Sequence, residues 1–404
     1  MRSEEQLHLY LTADIPGTGG VIKETPEDFL VAEIPLYQPC GEGEHTYATI
    51  EKRGVTTLEA VRRIARAVNV SDRDIGYAGM KDAKGVTRQT VSIPRVAPER
   101  LLPLELPGVV VLSAIPHRNK LKLGHLAGNR FRIRVRGAAE DALERAEAVL
   151  AVLRVRGVPN CFGAQRYGAQ GNSHLIGRAL LIMDYKSAVD AIIGDPAKVN
   201  DERWRSAIEA YLHGDLEESL RLFPAHCRPE RDMLQRLVKQ PGSFEKALHA
   251  IHPRLKKLYL SAFQSFLFDQ VLEKRFDAFD RVMAGDLAWK HDNGACFLVE
   301  DEGAEALRAE QIQISPTGPM FGYRMKLPQG KQLELEEELL RGEGLTPESF
   351  NLSGGMKLEG ERRPLRVPLE EPRVTQDGAG LVLEFSLPKG SYATSVLREI
   401  MKVN

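Results

Sequence analysis

Asp82 is the single acid in residues 76–92, and Lys81, Lys84 and Arg88 surround it in the same segment with Gly76, Gly79 and Gly85 spaced between them. Apolar runs on either side read as strands, so the glycines place Asp82 on a tight connection. A carboxylate among ammonium and guanidinium groups stays ionised, and the same cations gather phosphates. Such a group can take a proton or attack an electrophilic carbon. A solvated turn whose Asp caps the next element draws on the same residue types. Three cations around one acid favour a site.

The 404-residue length predicts two domains. Residues 1–6 are already polar and no apolar run reaches membrane-spanning length, which predicts a cytoplasmic protein with no membrane partner. Cys40, Cys161, Cys227 and Cys296 stand far apart with no Cys-x-x-Cys pair, so they read as buried thiols, without a zinc knuckle or a disulfide framework. The formal net charge of −1 hides a segregation of charge. Arg118, Lys120, Lys122, Arg130, Arg132, Arg134 and Arg136 occur without an acid among them, whereas Glu300-Asp301-Glu302 and the run near Glu334–Glu338 are acidic. A basic patch on a neutral chain suits a polyanion held in one place.

The elements that must position Asp82 can be read in order. After Thr25-Pro26, the apolar run from Phe29 to Ile34 predicts a strand, with Phe29 either in the core or facing a ligand. Residues 45–50 give another strand. Thr56 and Glu59 have capping-box spacing, and Leu58, Val61, Ile64, Ala65 and Val68 form the apolar stripe of the helix that follows; Arg62, Arg63 and Arg66 lie on its solvated face. Residues 74–78 return as a strand and deliver Asp82. Residues 110–114 form a further strand. In residues 129–136 Phe131, Ile133 and Val135 alternate with Arg130, Arg132, Arg134 and Arg136, which places four guanidiniums on one face of a half-buried strand. That face suits phosphate contacts; an edge strand protected by charge is the other reading. A helix is predicted from 140 to 153, and helical patterning dominates 178–272, where Leu260, Phe263, Leu267 and Val271 have core spacing. Gly318 to Met325 reads as a loop and the acidic helix near 334–340 as solvent-facing. Residues 381–388 form a strand, followed by a turn and a terminal helix.

Several of these segments resemble the TruD family of tRNA pseudouridine synthases in family order. Gly79-Met80-Lys81-Asp82 with Thr87-Arg88-Gln89 looks like its signature loop, Gly128-Asn129-Arg130-Phe131 like its Asn-x-Phe motif, and Pro159-Asn160-Cys161-Phe162-Gly163-Ala164-Gln165-Arg166-Tyr167-Gly168 like its Pro-Asn-Tyr-Phe-Gly-x-Gln-Arg-Phe-Gly segment, with Cys161 and Tyr167 as departures. Pro388-Lys389-Gly390-Ser391 and the helix after it resemble the closing segment. The resemblance implies an α+β fold. A pseudouridine-synthase-like catalytic domain on a mainly antiparallel sheet with flanking helices is expected over 1–160 and 366–404, with an inserted α/β domain over 161–365 offering tRNA a second surface.

It also implies the reaction: isomerisation of uridine to pseudouridine in tRNA, at position 13, with the base flipped out. The N1–C1′ bond breaks and a C5–C1′ bond forms, with no cofactor or metal expected. The chain carries neither a Gly-x-x-x-x-Gly-Lys-Thr/Ser nor a His-Glu-x-x-His motif. Asp82 is the expected catalytic residue, taking the C2′ proton in a glycal route or attacking C1′ or C6 in nucleophilic ones. Asn129 is expected to orient it, and Phe131, Phe29 or Phe385 to stack on the uracil. Lys23, Lys81, Arg88 and Arg166 complete the candidate substrate-binding set. Lys81, Lys84, Arg88, Lys120, Lys122, Arg130, Arg132, Arg134 and Arg136 are the expected phosphate contacts of a monomer. An RNA-binding protein or chaperone without catalysis, or an unrelated metal-free lyase or hydrolase, would share parts of this pattern. A glycosidase would want a second carboxylate across the bond, and Asp72, Asp74 and Glu99 have no spacing that marks one.

Overall fold

Alternation in the strand Leu126–Val135 builds the centre of the molecule's main sheet: Phe131, Ile133 and Val135 are buried while Arg130 and Arg132 are exposed. The computed structural model describes residues 9–353, 355–378 and 380–403; the polar opening, residues 1–6, lies outside them. The chain divides into two compact units, one formed by Tyr10–Val158 with Val367–Asn404 and the other containing Pro159–Arg366.

In the first unit, strands run in the order Glu370–Asp377, Gly380–Pro388, Leu126–Val135, Phe29–Pro35, Val86–Pro94, His45–Arg53, Val109–His117 and Glu105–Leu106, with Gly76–Tyr77 alongside Val86–Pro94. Every pairing is antiparallel except that of Phe29–Pro35 with Val86–Pro94. This is the mainly antiparallel α+β architecture that the family resemblance implies. Leu126–Val135 lies inside the sheet between two partners, so the edge-strand reading of its arginines is wrong.

One face of this sheet carries two separate cores. Phe29, Val31, Phe131, Ile133, Leu383 and Phe385 pack under the helices Ala142–Arg156 and Ala393–Met401. Farther along, Ala48, Ile50, Val91 and Ile93 pack under Thr57–Val68, whose N-cap Thr56 accepts a hydrogen bond from the Glu59 amide at 3.1 Å. Register places Thr87 opposite both Val31 and Lys52, and Gln89 opposite Ile50, so these polar side chains share the core face. All three are buried. Between two apolar cores, the sheet therefore presents a polar strip.

The second unit combines the helices from Ser173–Leu181 to Pro253–Lys274 with a four-stranded sheet ordered Cys296–Leu298, Leu287–Lys290, Ile314–Met320, Glu361–Pro364. Leu260, Phe263, Leu267 and Val271 are buried, as their spacing predicts. A Cβ on Gly177 would lie 2.1 Å from the Tyr259 carbonyl oxygen, so only glycine permits the approach of these two helices. Three expectations need correction. Residues 318–320 belong to the buried strand Ile314–Met320 rather than to a loop, because they pair with Glu361–Arg363. The helix Gly330–Gly342 exposes Glu337 and Glu338, but spacing of four turns Gln332, Glu336 and Leu340 inward, and Glu336 pairs with buried Arg362 at 2.8 Å. Cys161 and Cys227 are buried, whereas Cys40 is exposed and Cys296 half-buried.

Removing Glu336 leaves the Arg362 guanidinium buried without its counter-charge. Glu336→Ala is expected to cost about 3–5 kcal/mol of stability, measured as a lowered denaturant midpoint, whereas Glu338→Ala on the exposed side of the same helix is expected to leave it unchanged.

Candidate active site

The segment that carries Asp82, residues 78–85, is laid over the polar strip between the two cores. Thr57 Oγ1 accepts from the Lys81 amide at 2.9 Å and donates to Gln89 Oε1 at 2.9 Å, and Gln89 Nε2 donates to the Gly79 carbonyl at 3.4 Å. Lys52 Nζ donates to the carbonyls of Val55, Lys81 and Asp82 at 2.9, 3.2 and 2.7 Å. Gly85 closes the segment against Phe29, whose carbonyl oxygen would be 2.4 Å from any Cβ there. Backbone groups of the loop are thus satisfied by buried side chains beneath it.

The Asp82 side chain remains 28% exposed. Its Oδ2 accepts from Lys23 Nζ at 2.5 Å and its Oδ1 from the Lys84 amide at 2.9 Å. Burial acts to raise its pKa, but the Lys23 and Lys84 hydrogen bonds and the charges of Lys23 and Lys52 outweigh that effect and hold the carboxyl below its ordinary value. Lys23 occupies the left-handed region at φ 62°, a conformation that costs a non-glycine residue about 1–2 kcal/mol. There its ammonium reaches Asp82 while lying 4.1 Å from the Phe29 ring centroid.

Phe29 and Phe131 lie edge to face with centroids 6.4 Å apart, and Phe131 and Phe385 are 5.4 Å apart. Phe29 and Phe131 are each 6% exposed and Phe385 only 1%. Phe385 therefore backs Phe131 from the core and presents no open ring face.

Other candidates fall elsewhere. Lys81, expected among the phosphate contacts, has its side chain buried between Glu33 Oε2 at 3.1 Å and Asn129 Oδ1 at 2.7 Å; it ties two strands together. Among the described residues Asn129 makes no hydrogen bond to Asp82, whose carboxylate is oriented by Lys23 and the Lys84 amide. Arg88 alternates with Gln89, so it leaves on the opposite face and pairs with Glu51 at 2.8 Å. The other arginines expected to form an uncompensated cationic face are each met by an acid: Arg130 by Glu371, Arg132 by Glu384, Arg134 by Asp377, Arg136 by Asp28 and Glu24. That face is a ladder of ion pairs. A depression of about 470 Å³ lies there, lined in part by Arg88, Arg130, Arg132 and Arg373. Arg166 belongs to the other unit, bonded to Ser265 Oγ at 2.8 Å and Ser261 Oγ at 2.5 Å. Lys84 and Lys122 are exposed, and Lys120 donates to the Arg73 carbonyl at 2.8 Å. Among the described residues no cluster of three His, Cys, Asp or Glu side chains could hold a metal ion.

Lys52, Thr57 and Gln89 were not singled out by sequence as site residues. The available signal was parity: Lys52 falls on the buried side of a strand whose same-face neighbours are Ala48 and Ile50.

The family profile described as tRNA pseudouridine synthase D (TruD) matches residues 7–400. The chain is 70% identical to the tRNA pseudouridine synthase D of Geobacter metallireducens, over 97% of each chain. It is 66% identical to that of Geobacter sulfurreducens, covering 100% of this chain and 98% of the other. A Methanosarcina mazei crystal structure bearing the same TruD name aligns with a TM-score of 0.82 at 30% identity, covering 98% of this chain and 96% of that one. With a match along nearly its whole length, and an aspartate held ionised in the loop between Gly76–Tyr77 and Val86–Pro94, the chain belongs to the TruD family of tRNA pseudouridine synthases.

Proposed function

We propose that Asp82 is the catalytic carboxylate of uridine isomerisation in tRNA, with the uridine at position 13 as the target. The observation that carries this reading is the state of Asp82: partly exposed, ionised, and gripped by Lys23 and the Lys84 amide on a loop with buried supports. All of these groups lie in the unit formed by Tyr10–Val158 and Val367–Asn404, which supports its role as the catalytic domain around the inserted Pro159–Arg366. A carboxylate held below its ordinary pKa stays ionised, the form needed both to take the C2′ proton and to attack C1′ or C6. Phe29, under the Lys23 ammonium, and Phe131 beside it form the aromatic wall for the flipped uracil.

Phosphate contact falls to the candidate lysines that have no carboxylate partner among the described residues, Lys84, Lys120 and Lys122, and secondarily to the arginine ladder, whose pairs can exchange an acid for a phosphate. We also propose a cytoplasmic location, which a tRNA substrate supports. No helix among the described residues is long and apolar enough to cross a membrane.

Four outcomes are expected. Asp82→Asn keeps tRNA affinity but lowers pseudouridine formation by about 10²–10⁴-fold, read by chemical labelling at single-nucleotide resolution; undiminished formation would remove Asp82 from the chemistry. The wild-type carboxyl is held low, so its contribution to stability and its charge are both present above the ordinary carboxylate range and are lost only as pH falls through the depressed value. Lys23→Met leaves the raising effect of burial less opposed, so the acid limb of kcat/KM moves to higher pH. Replacing Lys84 and Lys122 together by Gln reduces the slope of log Kd for tRNA against log salt by about two, while Arg132→Gln, which frees Glu384 as well as removing a cation, is expected to weaken binding more than the loss of one charge alone.

A further inference from the structure

Beyond adding its charge near Asp82, the buried ammonium of Lys52 takes no part in the chemistry described above, yet it reaches the backbone on both sides of Asp82. Lys52 is 1% exposed and comes from the strand His45–Arg53, thirty residues before the acid it touches. The Lys81 carbonyl belongs to the peptide plane preceding the Asp82 Cα and the Asp82 carbonyl to the plane following it. Lys52 Nζ donates to both, at 3.2 and 2.7 Å, and its remaining hydrogen goes to the Val55 carbonyl at 2.9 Å. Three donors on one ammonium meet three backbone acceptors.

We propose that Lys52 is a positioning residue for the reaction: by fixing both peptide planes that flank Asp82, it sets the direction in which the carboxylate projects. This rests on the reading of Asp82 as the catalytic group. With both planes held, the Cα–Cβ bond of Asp82 has one orientation, and the only freedom left is rotation of its own side chain, which Lys23 and the Lys84 amide then fix. An apolar residue of similar length would fill the same space under the sheet. It would leave two loop carbonyls unpaired in a buried setting and let the planes turn.

Two further observations support the assignment. Packing alone calls for an apolar side chain at this position, where Ile50 and Ala48 continue the same buried face. Burial pulls the Lys52 ammonium down to about 8, against the opposing pull of Asp82, so at neutral pH it remains largely protonated and keeps its third donor. Lys81 acts in the opposite sense on it, and Lys23 bonds the Asp82 carboxylate rather than its backbone.

The test compares Lys52→Met, Lys52→Gln and Asp82→Asn with the wild type in pseudouridine formation on the same tRNA, with kcat, KM and tRNA Kd measured separately and folding followed by thermal melting. Lys52→Met is expected to lower kcat by about 10- to 100-fold, the scale of a displaced reacting group, while KM and Kd stay within about twofold. Lys52→Gln, which restores two N–H donors without the charge, is expected to recover part of that loss. If Lys52→Met shows no cooperative melting transition, Lys52→Gln carries the test by the same split. A folded variant that keeps its kcat, or one whose kcat and tRNA affinity fall together, would overturn the assignment. Activity retained in Lys52→Met but lost in Asp82→Asn counts against Lys52 alone, whereas activity retained in Asp82→Asn removes the reading on which it rests.

Discussion

A carboxylate must stay charged in a place that is partly withdrawn from water, and the architecture around it follows from that requirement. Desolvation favours the neutral acid. Here the Lys23 ammonium, the Lys84 amide and the nearby charge of Lys52 reverse that preference. Each comes from a different part of the fold: a left-handed residue before the first strand, the Asp82 loop itself, and the buried side of a central strand. Its depressed pKa depends on all three being held in register, which makes the local electrostatics a property of the sheet.

The sheet provides for this by interrupting its own hydrophobic face. Two apolar cores, each roofed by helices, are separated by buried Lys52, Thr87 and Gln89. A continuous apolar face would pack more tightly but could not satisfy the carbonyls and amides of a loop laid across it. Thr57, the first residue of the Thr57–Val68 helix, reaches the loop from the other side, so one element serves both a core and the site. The opposite face solves a different problem. Its arginines alternate with acids from neighbouring strands, which keeps an exposed central surface charged and soluble without a large net field.

Much of the fold was legible in local pattern. The alternation of Phe131, Ile133 and Val135 with arginines identified a half-buried strand, and Thr56 with the apolar spacing after it identified the helix and its start. Asp82 stood out because a single acid among cations is rare enough to notice. The roles of its neighbours were less legible. Lys81 sits next to Asp82 in the chain and looked like its partner, but a residue's immediate neighbour projects in a different direction, and Lys81 turns down to Glu33 and Asn129. Arg88 was lost to the site by parity, leaving on the face opposite Gln89.

By itself the sequence determined the periodic features: which segments are strands or helices, which side of each is apolar, and which residue types could do acid–base or nucleophilic chemistry. These depend on neighbours a few residues apart, and the geometry of strand and helix makes them readable. Only the tertiary structure decided that the lysine bonded to Asp82 is Lys23, 59 residues away, that the arginine face is balanced by acids, and that Lys52 supports the loop from below. Those pairings depend on strand order and register, in which the parallel contact of Phe29–Pro35 with Val86–Pro94 brings distant segments side by side. The energy of a charge pair is settled by the final separation and burial of its partners, and neither is written in the local spacing of the chain.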